Sequence, residues 1–389
     1  MAVTNVYGNG VNSTAGENTI IHFYDKAGVK AANRVNAYGQ FASRKAMPTK
    51  MGKTFKISKF LHMYDRELGD TDFAAKGYLT SRSAASVSAA LQAATLAEGA
   101  GAVNKRSLKK ITMETSLARY GEMIDYTDEV ELFSEDTMQV RYREELGALA
   151  NSRWEDLLQL DMLATPTVMY SGTATSMATI GDGVAADGST DDVFKVSYDL
   201  IRRATRKLQR NRAKKNTSIV TGDVKIGTTP INAAYYAIIG PEVKADLETL
   251  TRGVGYEREF SFEPVHKYAS AASLAEGEVG SMHEVRFVEA EGAVVYEGLG
   301  ADVPAGYTGS LANNGTKFNV YPILFPTQDA FATVGLKGQG KIKFNSRSPE
   351  FITNENPFGT QGFFSYNFFY AGIILEEEKI LKVLVAAGQ

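Results

Sequence analysis

The sequence predicts an α+β fold with mixed sheets, in a chain shaped to lie against other chains. Three observations lead there. Two alternating stretches flank a small-residue segment between positions 52 and 126. One long helical stripe then runs from 128 to 165. After it, short helices alternate with buried-strand runs to the C-terminus, with no repeat at solenoid period.

At 389 residues the chain exceeds a typical single domain, so two or more lobes are expected. Its 44% hydrophobic and 22% charged residues are ordinary for a soluble globular protein. With no cysteine it forms no disulfides, which fits a reducing compartment. A formal net charge of −3 lacks the positive excess of a non-specific nucleic-acid binder. The polar start has no basic-then-apolar signal pattern, and no window approaches the roughly 18 apolar residues of a membrane span.

Each element follows from its residues. Residues 1–19 are rich in Gly, Asn, Ser and Thr and bury no core of their own, so a neighbouring subunit is the natural support for this arm. Residues 20–38 read as a short helix, with Ile20, Phe23 and Tyr24 at helical spacing. In 52–64, Phe55, Ile57 and Lys59 fall on one face of a strand and Lys56, Ser58 and Phe60 on the other. Residues 83–103 are mainly Ala and Ser, a surface excursion. Residues 108–126 alternate again as one long strand. Two strands flanking such a tip make a protruding β-finger, which is marginal alone and is expected to rest on a partner.

From 128 to 165, Met138, Tyr142, Leu146, Leu149, Leu157 and Leu160 mark one face of a helix that Thr127 caps and Pro166 ends. At about 1.5 Å per residue this strut would span roughly 55 Å. A second helix is expected over 193–210, with Val193, Leu200, Ile201, Ala204 and Leu208 inward and Arg202, Arg203, Arg206, Lys207 and Arg210 on a basic side. Asp191 and Asp192 suit its start. Buried strands follow at 235–239, 285–290, 319–325 and 330–336, with a helix after Gly240–Pro241. The stretch 363–385 reads as two strands with a polar break at Glu376–Lys379.

No constellation of chemistry-bearing residues is complete. His283 sits among Glu278, Glu284 and Glu289, yet His283 and Glu284 point to opposite faces of a strand, and the paired ligands of a metal site are missing. A Gly turn running into a strand is the better reading. "GLKGQGK", Gly335 to Lys341, matches the phosphate-cradling loop, but Ile342 stands where Ser or Thr would hold magnesium, and residues 341–345 alternate as a strand. Asp182, Asp187, Asp191 and Asp192 do not follow a calcium-loop pattern. The basic helix side reads as a solvated face. No catalytic residue, metal ligand or cofactor site is expected.

The order of these parts resembles the major capsid proteins of tailed bacteriophages, with the Johnson or Hong Kong 97-type fold, and the N4-like branch matches best. The stretches that carry the likeness are 23–60, "LAEG" at 96–99, "ITMETSLARYGEMIDYTDEVEL" at 111–132, "YYAIIGPEVKADL" at 235–247, "GEVGSMHEVRFVE" at 277–289, "ILFPTQDAFATVGL" at 323–336 and the closing 364–385. The resemblance implies an N-terminal arm (1–49), an extended β-loop (50–126), a peripheral domain with the spine helix (127–190), an axial domain (191–340) and returning peripheral strands (341–389). It implies self-assembly into hexamers and pentamers of an icosahedral shell around double-stranded DNA, held without specific gripping, and a virion location after assembly in the host bacterial cytoplasm. A portal protein and a scaffolding or decoration protein are the implied partners, with no membrane and no cofactor. No self-cross-linking pair and no N-terminal scaffolding segment stand out, and 65–95 is longer and richer in Ala and Ser than the simplest family pattern. Lys53, Lys56, Lys59, Asp65, Arg66 and Glu67 are candidates for inter-subunit ion pairs. Two alternatives stand beside this reading: an encapsulin-like nanocompartment shell, and a nucleotide-handling enzyme using Gly335–Lys341.

Overall fold

A computed structural model describes residues 36–60, 83–96, 98, 108, 110–133, 138–220, 228–250, 263–264, 274–338, 342–350, 352 and 356–389. In chain order the elements are β1 (Ser43–Met47), β2 (Thr54–Phe60), α1 (Ala84–Gln92), β3 (Lys110–Ser116), β4 (Ala118–Thr127), α2 (Asp128–Phe133), α3 (Met138–Leu163), β5 (Val168–Tyr170), α4 (Tyr198–Arg210) and β6 (Asn216–Val220). Then come β7 (Thr228–Ile239), α5 (Pro241–Glu248), β8 (Glu263–Pro264), β9 (Glu278–Met282), β10 (Val285–Glu289), β11 (Tyr321–Phe325), β12 (Phe331–Leu336), β13 (Lys343–Arg347), β14 (Gln361–Tyr370), β15 (Gly372–Ile374) and β16 (Leu381–Val385).

The largest sheet runs β5-β16-β11-β7-β10-β9-β8, with β6 paired to β7. β10 and β7 are parallel, while β11 is antiparallel to both β7 and β16. Both faces of this sheet are covered, so "YYAII" in β7 is apolar throughout instead of alternating. Tyr236 and Ile238 enter one core, with Leu146, Leu158 and Met162 of α3 and Phe331, Phe364 and Tyr370. Tyr235, Ala237 and Ile239 enter the other, beneath Leu200, Ile201 and Leu208 of α4 and Val243 and Leu247 of α5. Pro241 at the first turn of α5 suits a position where no intrahelical N–H partner is needed.

The single helix expected over 128–165 is described as two elements, α2 and the 26-residue α3, with 134–137 outside the described residues and Thr127 the last residue of β4; the registration of α3 also differs from expectation. Leu146 and Leu149 face the core, but Leu160 is 56% exposed and Leu158 and Met162 are fully buried. The buried side also holds Glu155 and Gln159, whose polar ends meet the chain just before β1: Glu155 accepts the Gly39 amide at 3.3 Å, and Gln159 is hydrogen-bonded to the Tyr38 hydroxyl at 2.9 Å. The C-terminus of α3 is closed by the Lys382 ammonium, which donates to the Leu163 carbonyl at 2.8 Å, a cation where the helix dipole is negative.

α4 begins later than its apolar pattern implied. Ser197 caps it by accepting the Leu200 amide at 3.2 Å, and Val193 lies before it in a 3-10 turn, half exposed. Asp191 opens that 3-10 turn and does not stand at the start of α4. It is 3% exposed and accepts from the Tyr307 hydroxyl (2.9 Å to each oxygen), the Ser310 amide (2.7 Å) and the Ser310 hydroxyl (3.1 Å). It thereby ties the excursion before β11 to the loop before α4.

The stretch 108–126 is two strands, not one. β3 turns Ile111, Met113 and Thr115 inward, whereas β4 turns Ile124 and Tyr126 inward, so the side-chain parity changes across the break at Leu117. β3 pairs with β2, and β4 pairs over its whole length with β14, which β13 extends. The closing region adds β15 to the two expected strands: β15 joins a small sheet with β1 and β12, and β16 enters the large sheet. The expected helix at 20–38 lies outside the described residues except for its last three.

Candidate functional site

The ribbon β2–β3 is the feature that a self-contained domain needs least. Thr54 to Phe60 pair antiparallel with Ser116 to Lys110, and burial alternates in both strands as the sequence implied. The half-buried face carries Phe55, Ile57 and Lys59. At its base Phe55, Met113 and Leu117 pack on Met47, Ala332, Val334, Ala371 and Ile373 of the β1-β12-β15 sheet. The finger therefore rests partly on its own body, which alternation alone did not reveal. Two polar contacts fix its angle. Thr115 Oγ1 donates to the Gly372 carbonyl at 3.0 Å, and Lys59 Nζ reaches the Leu375 carbonyl at 3.3 Å and Glu376 Oε2 at 3.2 Å.

Toward Phe60 the support among the described residues narrows to the Lys59 contacts. Phe60 is 62% exposed, and α1, beyond the ribbon in sequence, buries none of its residues. Its local structure is clear: Ser83 accepts the Ser86 amide at 3.2 Å as N-cap, and Ala-rich sequence favours helix. Ser86, Val87 and Ala90 are half-buried and no residue of this nine-residue helix is fully buried, so among the described residues it has little tertiary support.

The structure distributes the charged candidates unevenly. Lys56 bonds Glu114 across the ribbon at 2.9 Å, which raises the lysine's pKa and lowers that of the glutamate. Lys59 holds Glu376. Lys53 makes no ion pair with a described residue; its carbonyl accepts the Leu117 amide at 2.9 Å. Asp65, Arg66 and Glu67 lie outside the described residues. Of the arm, residues 36–42 are buried in this chain. Gln40 clasps Glu276 through both backbone groups (2.8 and 2.9 Å), and Asn36 and Asn151 exchange amide hydrogen bonds.

The histidine cluster resolves into a turn with ion pairs. His283, at φ +58°, makes the corner between β9 and β10 and packs edge-on to Tyr198. The three glutamates face different cations: Glu278 meets Arg286 at 3.6 Å, Glu284 meets Lys215 at 3.1 Å and Glu289 meets Lys244 at 2.7 Å. At Gly335–Lys341, β12 and β13 flank the glycines as strands, and Gly338 turns at φ +77°. A phosphate loop would instead lead into a helix N-terminus. Lys341 itself lies outside the described residues.

Sequence reasoning missed several anchoring groups. Asp161 accepts the Tyr370 hydroxyl at 2.8 Å; burial raises the carboxyl's pKa, and burial with the adjacent carboxylate pushes the phenol far up. Asp246 accepts the Gly388 amide at 3.0 Å, and burial raises its pKa too. Their partners stand more than a hundred residues away, beyond any local spacing rule.

No family model matches the sequence. The curated major capsid protein of Pseudomonas phage KPP21 is 28% identical, aligned over 97% of this chain and 95% of its own length. Among solved structures, the capsid of Ralstonia phage GP4 superposes with a TM-score of 0.59 at 12% identity, covering 98% of this chain and 99% of that one. The acid-stable capsid of Helicobacter pylori bacteriophage KHP30 gives 0.52 at 8% identity, covering 99% and 100%. The fold is thus that of the Hong Kong 97-type phage capsids, as the order of the elements implied.

Proposed function

We infer that this chain is a phage major capsid protein whose copies assemble into an icosahedral shell. The near end-to-end match to a curated major capsid protein carries the reading. Its role is structural and its place is the virion capsid. The geometry fits the physics of a shell. Each copy has several neighbours, so individually weak contacts add through ring closure and multivalency. The ribbon leads in sequence to α1, no residue of which is fully buried, and this suits a surface completed by the next copy. α3, wedged between two sheets and closed by Lys382, supplies a stiff spine.

The finer assignments belong to the same proposal. The segments 1–49, 50–126, 127–190, 191–340 and 341–389 act as arm, extended loop, spine-bearing peripheral domain, axial domain and returning strands. Lys53, Asp65, Arg66 and Glu67 are assigned to contacts between copies, whereas Lys56 and Lys59 first hold the ribbon itself. The shell encloses double-stranded DNA, assembles in the host cytoplasm into hexamers and pentamers, and meets a portal protein at one vertex, with a scaffolding or decoration protein as a further partner.

Negative-stain microscopy of the purified, concentrated protein tests the reading. Closed particles, or rings of five and six, are the expected result. Monomers alone at every concentration and ionic strength would overturn it.

A further inference from the structure

We propose that the arginine row of α4 docks onto an acidic edge of the same lobe in a second copy of this chain, so that copies join head to tail. The proposal rests on the shell reading and names one of its contacts.

The row consists of Arg202, Arg203, Arg206 and Arg210, all exposed. Residues at i, i+4 and i+8 line one helix face over about 12 Å. Leu200, Ile201, Ala204 and Leu208 hold the opposite face in the core, so the guanidinium groups cannot turn toward the sheet. None of the four makes an ion pair with a described residue. Lys207, by contrast, turns inward to donate to the Val168 carbonyl at 3.1 Å, and burial lowers its pKa. Asp199 shares the depression formed by Arg202, Arg203 and Arg206 and offsets one of their charges.

A complementary surface exists on the same lobe. Glu242, Glu297 and Asp246 all lie near Tyr321, whose hydroxyl is pushed up first by burial and then by those carboxylates. Asp192 adds a fourth negative charge near Asp246. Lys195, 3.3 Å from Asp192, is a cation among them, while Lys244, between Glu242 and Asp246 on α5, is held by Glu289 at 2.7 Å. These groups gather where β7 ends and β11 begins, which the antiparallel pairing of Leu324 with Ile238 sets side by side. The last turns of α4 are fastened at the opposite end of the sheet, by Gln209 to Glu284 (3.1 Å) and by Asn211 to the Glu378 carbonyl (2.8 Å). The row thus starts on the first half of α4, just after Asp192 and Lys195 of the acidic group, and runs away from it toward the opposite end of the sheet, so the two surfaces are different patches of opposite sign. Two different patches meeting make a heterologous contact, the kind that closes into rings. Arginine suits such a contact because its planar fork pairs with carboxylates in two parallel bonds.

The test compares the full-length chain with two charge-reversed variants: Arg202→Glu with Arg203→Glu and Arg206→Glu, and Glu242→Lys with Glu297→Lys. All five positions are on the surface or half-buried, and thermal melting checks that each variant folds. Light scattering against concentration gives the assembly threshold. Each variant alone is expected to raise it about tenfold or more, with the difference shrinking at high salt. A 1:1 mixture sets unlike faces together again and is expected to recover six-membered rings by alternation. If the wild type assembles and both folded variants keep its threshold, the proposal is wrong while the shell reading stands. If the arginine variant assembles normally and loses only retention of double-stranded DNA, the row faces nucleic acid and the proposal fails as well. If the wild type forms neither rings nor shells, the shell reading itself fails.

Discussion

Replacing Asp191 by alanine should cost the fold about 3–5 kcal/mol. The figure comes from the contacts the carboxylate holds. It accepts the Tyr307 hydroxyl at 2.9 Å to each oxygen, the Ser310 amide at 2.7 Å and the Ser310 hydroxyl at 3.1 Å, and it is 3% exposed. A hydrogen bond to a charged group contributes about 1.5–3 kcal/mol, and a donor left buried without an acceptor costs about 1–3. The Ser310 amide would be orphaned, while the Tyr307 oxygen still accepts the Leu311 amide at 2.9 Å. The donors share one acceptor, so their losses do not add in full. Asp191→Asn keeps one acceptor and should lose less. Urea unfolding of the unassembled chain measures both. A second readout is the Tyr307 phenol, pushed up to about 12 by burial and then by the neighbouring carboxylate. Between pH 10 and about 12 the folded chain binds the proton that the unfolded chain has released, so stability falls with rising pH across that window. In Asp191→Asn the window should narrow from above, as spectrophotometric titration reports. A loss below about 1 kcal/mol for Asp191→Ala, with Tyr307 unmoved, would refute the reasoning.

The packing sets three further outcomes. Leu158→Ala should cost about 3 kcal/mol, whereas Leu160→Ala, two residues on and 56% exposed, should stay within about 0.5; equal effects would mean the registration of α3 is wrong. A double-mutant cycle with Lys59→Met and Glu376→Gln should give a coupling of about 1 kcal/mol, and either variant should speed proteolysis beyond the ribbon; zero coupling would show that the contact does not hold it. Burial holds the Asp161 carboxyl above its ordinary pKa, so its charge destabilises the fold as pH rises through and beyond the ordinary carboxylate range. Asp161→Asn, which still accepts the Tyr370 hydroxyl, should flatten that decline in unfolding free energy, and an unchanged pH profile would contradict the assignment.

Patterns set by a single repeating period were legible in the sequence. Phe55, Ile57 and Lys59 announced a half-buried strand, and Leu200, Ile201, Ala204 and Leu208 announced the inner face of α4. Errors arose where two periods compete or where a partner is distant. Leu157, Leu158 and Leu160 allow more than one phase, and the choice is made by Glu155 and Gln159 meeting the chain near Tyr38. The parity change at Leu117 is silent, because each half of 108–126 alternates well by itself. Asp191 stood where a helix-start charge would, and its partners lie about 116 to 119 residues later. The inter-subunit candidates were chosen by local charge density. That signal cannot separate Lys53 from Lys59, whose acceptor Glu376 belongs to the far end of the chain.

The central claim is that parts of this chain become stable only against other copies, and α1 tests it most directly. Hydrogen exchange at Ala84–Gln92 should be fast in the dispersed chain, because no residue of that helix is buried, and slow in assembled particles. Equal protection in both states would contradict the account.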